Sequence, residues 1–140
     1  MRPALLRLAG LLLLSCAASN SAFAATIGLA RAELVEVRDV SPPLAPGEVR
    51  IDGEVRLSFR VVKVLAGTVT QKMIVHTQWT AMPLRDSMYI LVGEEGRKAR
   101  ILWWEPTRYG LCFDLEEARS YGLQNEVRRL QLSHPCQRKG

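Results

Sequence analysis

Histidine and cysteine are scarce in this chain: two His and three Cys among 140 residues. That leaves little material for a metal centre or a histidine-dependent catalytic set. There is no C-x-x-C pair, and no histidine at ligand spacing apart from the chance neighbours His134-Pro135-Cys136. The motifs G-x-S-x-G, H-E-x-x-H, the P-loop and G-x-G-x-x-G are all missing. No internal repeat, low-complexity tract or block of like charge occurs. The densest cluster, Arg97-Lys98-x-Arg100, sits beside Glu94 and Glu95 and reads as a solvated hairpin tip. With 48% hydrophobic and 24% charged residues, the chain is neither a disordered polymer, a collagen nor a coiled-coil rod. A length of 140 residues allows one domain.

The first 24 residues read as an export signal rather than as fold. Arg2 and Arg7 form a positive start, Leu8 to Ala18 is apolar, and Ala22-Phe23-Ala24 is an A-x-A cleavage pattern. The apolar run is short for a bilayer span. Cleavage is expected between Ala24 and Ala25, leaving residues 25–140 as one domain in the periplasm or outside the cell, with no stable membrane span. The alternative is a lipoprotein anchored through Cys16, because Leu13-Leu14-Ser15-Cys16 resembles a lipidation signal. Ordinary cleavage fits the cysteine count better, since it removes Cys16 and leaves Cys112 and Cys136 as an even pair. In an oxidising compartment these two are expected to form a disulfide. Such a bridge closes a loop of about 25 residues and contributes on the order of 3 kcal/mol. Removing Arg2 and Arg7 leaves 17 basic against 14 acidic residues in 116, a net charge of +3. That mild basicity argues against nucleic acid.

The mature chain patterns mostly as strands. Residues 30–40 read as a strand rich in β-branched residues, followed by the loop Ser41–Gly47 with three prolines. In 54–66, Val55, Leu57, Phe59 and Val61 alternate with polar residues. The phase then slips, so that Val62 and Val64 are expected inside, and a bulge is expected to absorb the slip. Residues 68–79 form the next strand, and 80–87 a loop. Met88–Gly93 is apolar throughout, as in a strand buried on both faces. Glu94–Arg97 turns the chain into Ala99–Trp104. Asp114 is expected to cap a helix that Gly122 ends, and Leu123, Val127 and Leu130 mark a second helical stripe. The expected fold is therefore mainly β: a small antiparallel, OB-like five-stranded barrel with a C-terminal helical segment.

Val61-Val62-Lys63-Val64-Leu65-Ala66-Gly67, Met73-Ile74-Val75-His76-Thr77, Tyr89-Ile90-Leu91-Val92 and Gly110-Leu111-Cys112 resemble segments of small exported bacterial domains similar to tissue inhibitors of metalloproteases. The resemblance covers residues 30–132 and implies an OB-like barrel of the netrin type. Inhibitors of that superfamily chelate the protease zinc with a mature N-terminal cysteine. Here the expected terminus is Ala25-Thr26-Ile27, and Trp79-Thr80-Ala81 stands where bacterial relatives often carry a cysteine. The resemblance thus extends to the fold and not to zinc capping.

No catalytic constellation emerges, and no cofactor or metal is expected. His76 lies in a strand between Ile74 and Gln78 and reads as a sheet-face residue. Asp114, Glu116 and Glu117 at a helix start read as capping and dipole partners. The aromatic stretch Trp103-Trp104-Glu105-Pro106-Thr107-Arg108-Tyr109 is the strongest candidate for partner binding, with Trp79 able to join it. Adjacent Trp103 and Trp104 must face opposite ways on a strand. The reading is an exported non-enzymatic binding module of the cell envelope, acting on a protein partner as an inhibitor or immunity factor would. The alternative is a glycan- or nucleic-acid-binding OB-type domain. A small hydrolase using His76 ranks third.

Overall fold

The computed structural model describes residues 25–50, 53–79 and 87–138, with Trp79 given by its backbone. The export signal with Cys16, and most of the loop after Trp79, lie outside the described residues. Five strands form one antiparallel sheet: β1 (Thr26–Asp39), β2 (Glu54–Gly67), β3 (Met73–Trp79), β4 (Ser87–Glu95) and β5 (Lys98–Pro106). A short 3-10 turn, Thr107–Tyr109, leads to α1 (Leu115–Ser120) and α2 (Gln124–Ser133). The strand order is β3-β2-β1-β4-β5, so the central β1 carries both halves of the sheet. The two end strands curl towards each other, and β3 and β5 approach with Cα atoms within 8 Å. This is a five-stranded, partly open OB-like barrel with a helical segment at its C-terminus.

Two apolar clusters explain the sequence pattern. The barrel interior holds Leu34, Leu57, Phe59, Ile74, Ile90 and Val92. The outer side of β1 and β4 is covered by the helices, around Leu29, Leu91, Leu111, Phe113 and Val127. In β4, Met88, Ile90 and Val92 enter the first cluster, while Tyr89 and Leu91 enter the second. This double burial produces the unbroken apolar run that the sequence displays.

The expected bulge in β2 exists. Arg31 pairs with Lys63 and Ala32 with Val61, which leaves Val62 as the extra residue. Further shifts leave Leu65 and Val35 without direct partners. The side chains after the bulge depart from expectation, because Val62 and Val64 are 43% and 40% exposed. Val61 is the last β2 residue packed on the barrel interior, and β2 next packs through Leu65 and Ala66 on the helix side. The strand expected over 68–79 begins only at Met73. Residues 68–72 instead form a loop held by Glu94, described below.

The helices form as their end signals dictate. The Asp114 carboxylate accepts hydrogen bonds from the Glu116 and Glu117 amides at 2.9 Å each. At the other end Gly122 adopts φ +72°, and the amides of Gly122 and Leu123 donate to the carbonyls of Arg119 and Ala118. That is a Schellman closure, with Leu123 and Ala118 packed in the same cluster. Cys112 and Cys136 form a disulfide with Cα atoms 4.6 Å apart.

Candidate binding cleft

The structure separates the residues singled out from the sequence. Trp103 lies beneath the helices, its ring 4.8 Å from that of Phe113. Trp104 packs on the barrel interior. Between them and Ile101 the register shifts: Val92 pairs with Ile101 and Leu91 with Trp103, so Leu102 is an extra residue. Leu102 and Trp103 consequently both join the helix-side cluster. A strict alternation from the inward Ile101 would have placed Trp103 inside, and nothing in the sequence announces this bulge. Trp79 ends β3, its backbone opposite Glu54. Arg108 rests its guanidinium 4.9 Å from the Tyr109 ring centre, on a turn where Tyr109 is 38% exposed. Of the five candidates, Arg108 and Tyr109 are thus brought together at the surface, and the two described tryptophans are half-buried against the two clusters.

A concavity lies elsewhere, where β3 and β5 meet. It is a half-open cleft of about 610 Å³. Its floor is apolar: Ile27 of β1, Met73 and Val75 of β3, and Leu102 of β5. Met73 and Val75 are 44% and 49% exposed, large values for side chains so close to a barrel core. They alternate with Ile74, which points inside, so the strand period itself delivers them to the surface. Gly93 keeps the floor open. A Cβ there would stand 3.3 Å from Leu102 Cδ1 and 3.5 Å from Ile27 Cδ1.

The rim is basic. Arg97 belongs to the β4–β5 turn and Lys98 and Arg100 to β5, and all three line the cleft. None of their side chains has an ion-pair or hydrogen-bond partner among the described residues. On β2, by contrast, Arg60 is bound to Glu33 at 2.6 Å. The sequence displayed this cluster, but its charges looked balanced by Glu94 and Glu95. In the fold, Glu94 is 4% exposed and forms no ion pair with them. Its carboxylate accepts from the Thr70 amide at 3.0 Å, the Thr70 hydroxyl at 2.7 Å and the Gln71 amide at 2.9 Å. The Gln71 side chain in turn donates to the Arg97 carbonyl at 2.9 Å. Glu94 therefore ties the 68–72 loop to the β4–β5 hairpin at the edge of the cleft.

Burial pushes the Glu94 carboxyl up, but the hydrogen bonds from Gln71 and Thr70 outweigh it and hold its pKa below the usual value of 4.5. A carboxyl depressed in the folded state stabilises the fold above its unfolded pKa. That contribution is lost as pH falls through the lower, folded value. Glu94→Gln is expected to cost about 1–3 kcal/mol at neutral pH, since it weakens a buried acceptor set. It should also flatten the stability profile below pH 4.5. Urea denaturation of both proteins across the acid range checks this, and equal slopes would refute the role given to Glu94.

The histidines sit apart from the cleft. His76 stands opposite Leu57 in the β2–β3 ladder, and burial lowers its pKa from 6.5. His134 packs edge-on to Tyr89 at 6.3 Å, and its Nδ1 is 2.9 Å from the Ser133 hydroxyl. Among the described residues no group of three or more His, Cys, Asp or Glu side chains is placed to hold a metal ion. No helix among them is long and apolar enough to cross a membrane. No protein-family model, curated protein or solved structure matches the chain.

Proposed function

We propose that this chain is an exported, non-enzymatic binding module that holds a protein partner of the cell envelope in the cleft between β3 and β5. One observation carries the reading: an exposed apolar floor rimmed by three cations whose side chains form no ion pair among the described residues. Soluble domains seldom leave large apolar side chains grouped at the surface without a use for them. Cations around such a floor favour an acidic partner and speed its arrival. On the export reading, cleavage after Ala24 also frees an α-ammonium at Ala25, a residue that lines the cleft. An inhibitor or immunity factor is one form this activity takes. The glycan or nucleic-acid alternative gains less support, because Trp103 and Trp104, which would supply a stacking platform, are packed against the two cores.

The test is affinity capture of the tagged protein from its own envelope, identification of the partner, and reconstitution with purified components. Val75→Asp and Arg100→Glu are each expected to weaken the complex at least tenfold, a loss of about 1.4 kcal/mol. Arg108→Ala and Tyr109→Ala should leave it unchanged. A complex indifferent to both cleft variants would place the binding surface elsewhere.

A further inference from the structure

Two glutamates follow one another at the end of β4, and the strand period sends them to opposite faces. Val92 packs on the barrel interior, as does Ala99, the ladder partner of Glu94, so Glu94 lies on the inner face. Glu95 lies on the outer face, where it is exposed and lines the cleft. Its ladder partner is Lys98, another lining residue. Side chains directly opposite in an antiparallel pair stand about 5 Å apart at Cβ. Glu95 nevertheless forms no hydrogen bond or ion pair among the described residues. An acidic group entering the cleft therefore meets the attraction of Arg97, Lys98 and Arg100 and the repulsion of the Glu95 carboxylate.

Glu94 acts through the backbone instead. β3 and β5 are the two ends of the strand order, and among the described residues no ladder joins them. Hydrogen bonds tie the starts of the two strands together. The Glu94 carboxylate accepts from the Thr70 and Gln71 amides and the Thr70 hydroxyl, in the segment that runs into β3 at Met73. The Gln71 side chain donates to the carbonyl of Arg97, the residue before β5. Glu94 thus sets where the apolar residues Met73 and Val75 begin relative to the basic residues Arg97, Lys98 and Arg100.

We infer that these neighbours set the affinity of the cleft in opposite senses. Glu94 is a positioning residue that aligns the apolar floor with the basic rim. Glu95 weakens the attraction for acidic groups, so that charge alone does not hold a partner. A protein that binds must also place apolar side chains on Met73 and Val75. The inference rests on the cleft being the functional surface and assigns what controls its affinity and selectivity.

The test uses the purified exported protein with its disulfide intact, and the envelope protein captured with it, reconstituted as a complex. Glu94→Gln and Glu95→Gln remove the same charge from adjacent positions, and charge alone would make both variants bind an acidic partner more tightly. Glu95→Gln should tighten the complex about two- to fivefold, the worth of an exposed charge pair. The gain should come from faster association with a steeper salt dependence. Glu94→Gln should weaken the complex about threefold or more, through faster dissociation. Thr70→Val removes one donor to Glu94 without changing the charge. It should weaken the complex in the same direction and leave the salt dependence unaltered. In the free protein, Glu94→Gln and Thr70→Val should speed exchange of the Gln71 amide, and Glu95→Gln should not. Tighter binding in Glu94→Gln, or indifference to Thr70→Val, would overturn the positioning role. No gain in Glu95→Gln would overturn the selectivity role. If either fails while Val75→Asp still breaks the complex, this inference is refuted and the functional reading stands. If Val75→Asp and Arg100→Glu both spare every captured complex, the functional reading itself fails.

Discussion

Phe113→Ala is expected to destabilise the fold by about 3–5 kcal/mol, the usual cost of emptying a buried aromatic site. Phe113 is 1% exposed and stands between the barrel and the helices. Its ring meets Trp103 at 4.8 Å and Tyr121 at 6.5 Å, so one truncation strips contacts from both β5 and the end of α1. Its carbonyl accepts from the Gln131 side chain at 2.8 Å, which pins α2 to the same point. The cavity cannot easily collapse, because Trp103 is fixed by the sheet and Tyr121 by the helix end. For a domain of this size the melting temperature should fall by about 4 °C for each kcal/mol, roughly 12–20 °C in all. Amide exchange in α1 and α2 should accelerate more than in β1, since the loss is confined to the helix-side cluster. Chemical denaturation measures the first effect. A loss below about 1 kcal/mol, the range of ordinary surface changes, would show that the helices do not depend on this contact.

Removing the disulfide ranks next. Changing Cys112 and Cys136 together to serine is expected to cost about 3.5 kcal/mol, by the chain-entropy estimate for a separation of 24 residues. The bridge fastens the C-terminal tail over the 109–112 segment. There the Leu111 amide donates to the His134 carbonyl at 3.0 Å, and the Gln137 amide to Tyr109 at 2.8 Å. Gly110 makes the approach possible, because it sits at φ +72° with Pro135 against the position of its missing Cβ. The same tail brings Arg138 to Oε1 of the buried Glu105 carboxylate, whose Oε2 has no hydrogen-bond partner among the described residues. Once the tail detaches, Glu105 remains as a buried charge without its counter-ion, so the measured cost should exceed the loop-entropy value. Reduction of the unaltered protein should lower the melting temperature by the same amount as the double substitution. Equal stability of oxidised and reduced protein would contradict this account.

Much of the architecture was legible because strand period and helix-end chemistry are local. Alternation in 54–61 gave β2 and its inner face. The apolar run 88–93 gave a strand buried on both sides, and Asp114 and Gly122 gave the limits of α1. What escaped was set by contacts distant in sequence. The bulge at Leu102 depends on how β5 meets β4, and it sends two successive side chains to the helix side. The 68–72 segment has strand-like composition but is claimed by Glu94, more than twenty residues away. The candidate site was the least legible part. Aromatic richness pointed to Trp103 and Trp104, which the fold half-buries against its two clusters. Arg97, Lys98 and Arg100 were visible as a cluster, but that Glu94 is held by Thr70 and Gln71 rather than ion-paired with them appears only in three dimensions. Nothing local to Met73 and Val75 signals that β5 lies beside them.

The location of the binding surface is tested most directly by site-specific photo-crosslinking in the exported protein, with a benzophenone side chain at position 75, 62 or 109. Val75 lies in the cleft, Val62 on the exposed bulge of β2, and Tyr109 on the turn after β5. The account predicts a discrete adduct with one envelope protein from position 75, abolished by Arg100→Glu, and none from position 62 or 109. An adduct from position 109 with none from position 75 would contradict it and return the site to the aromatic stretch.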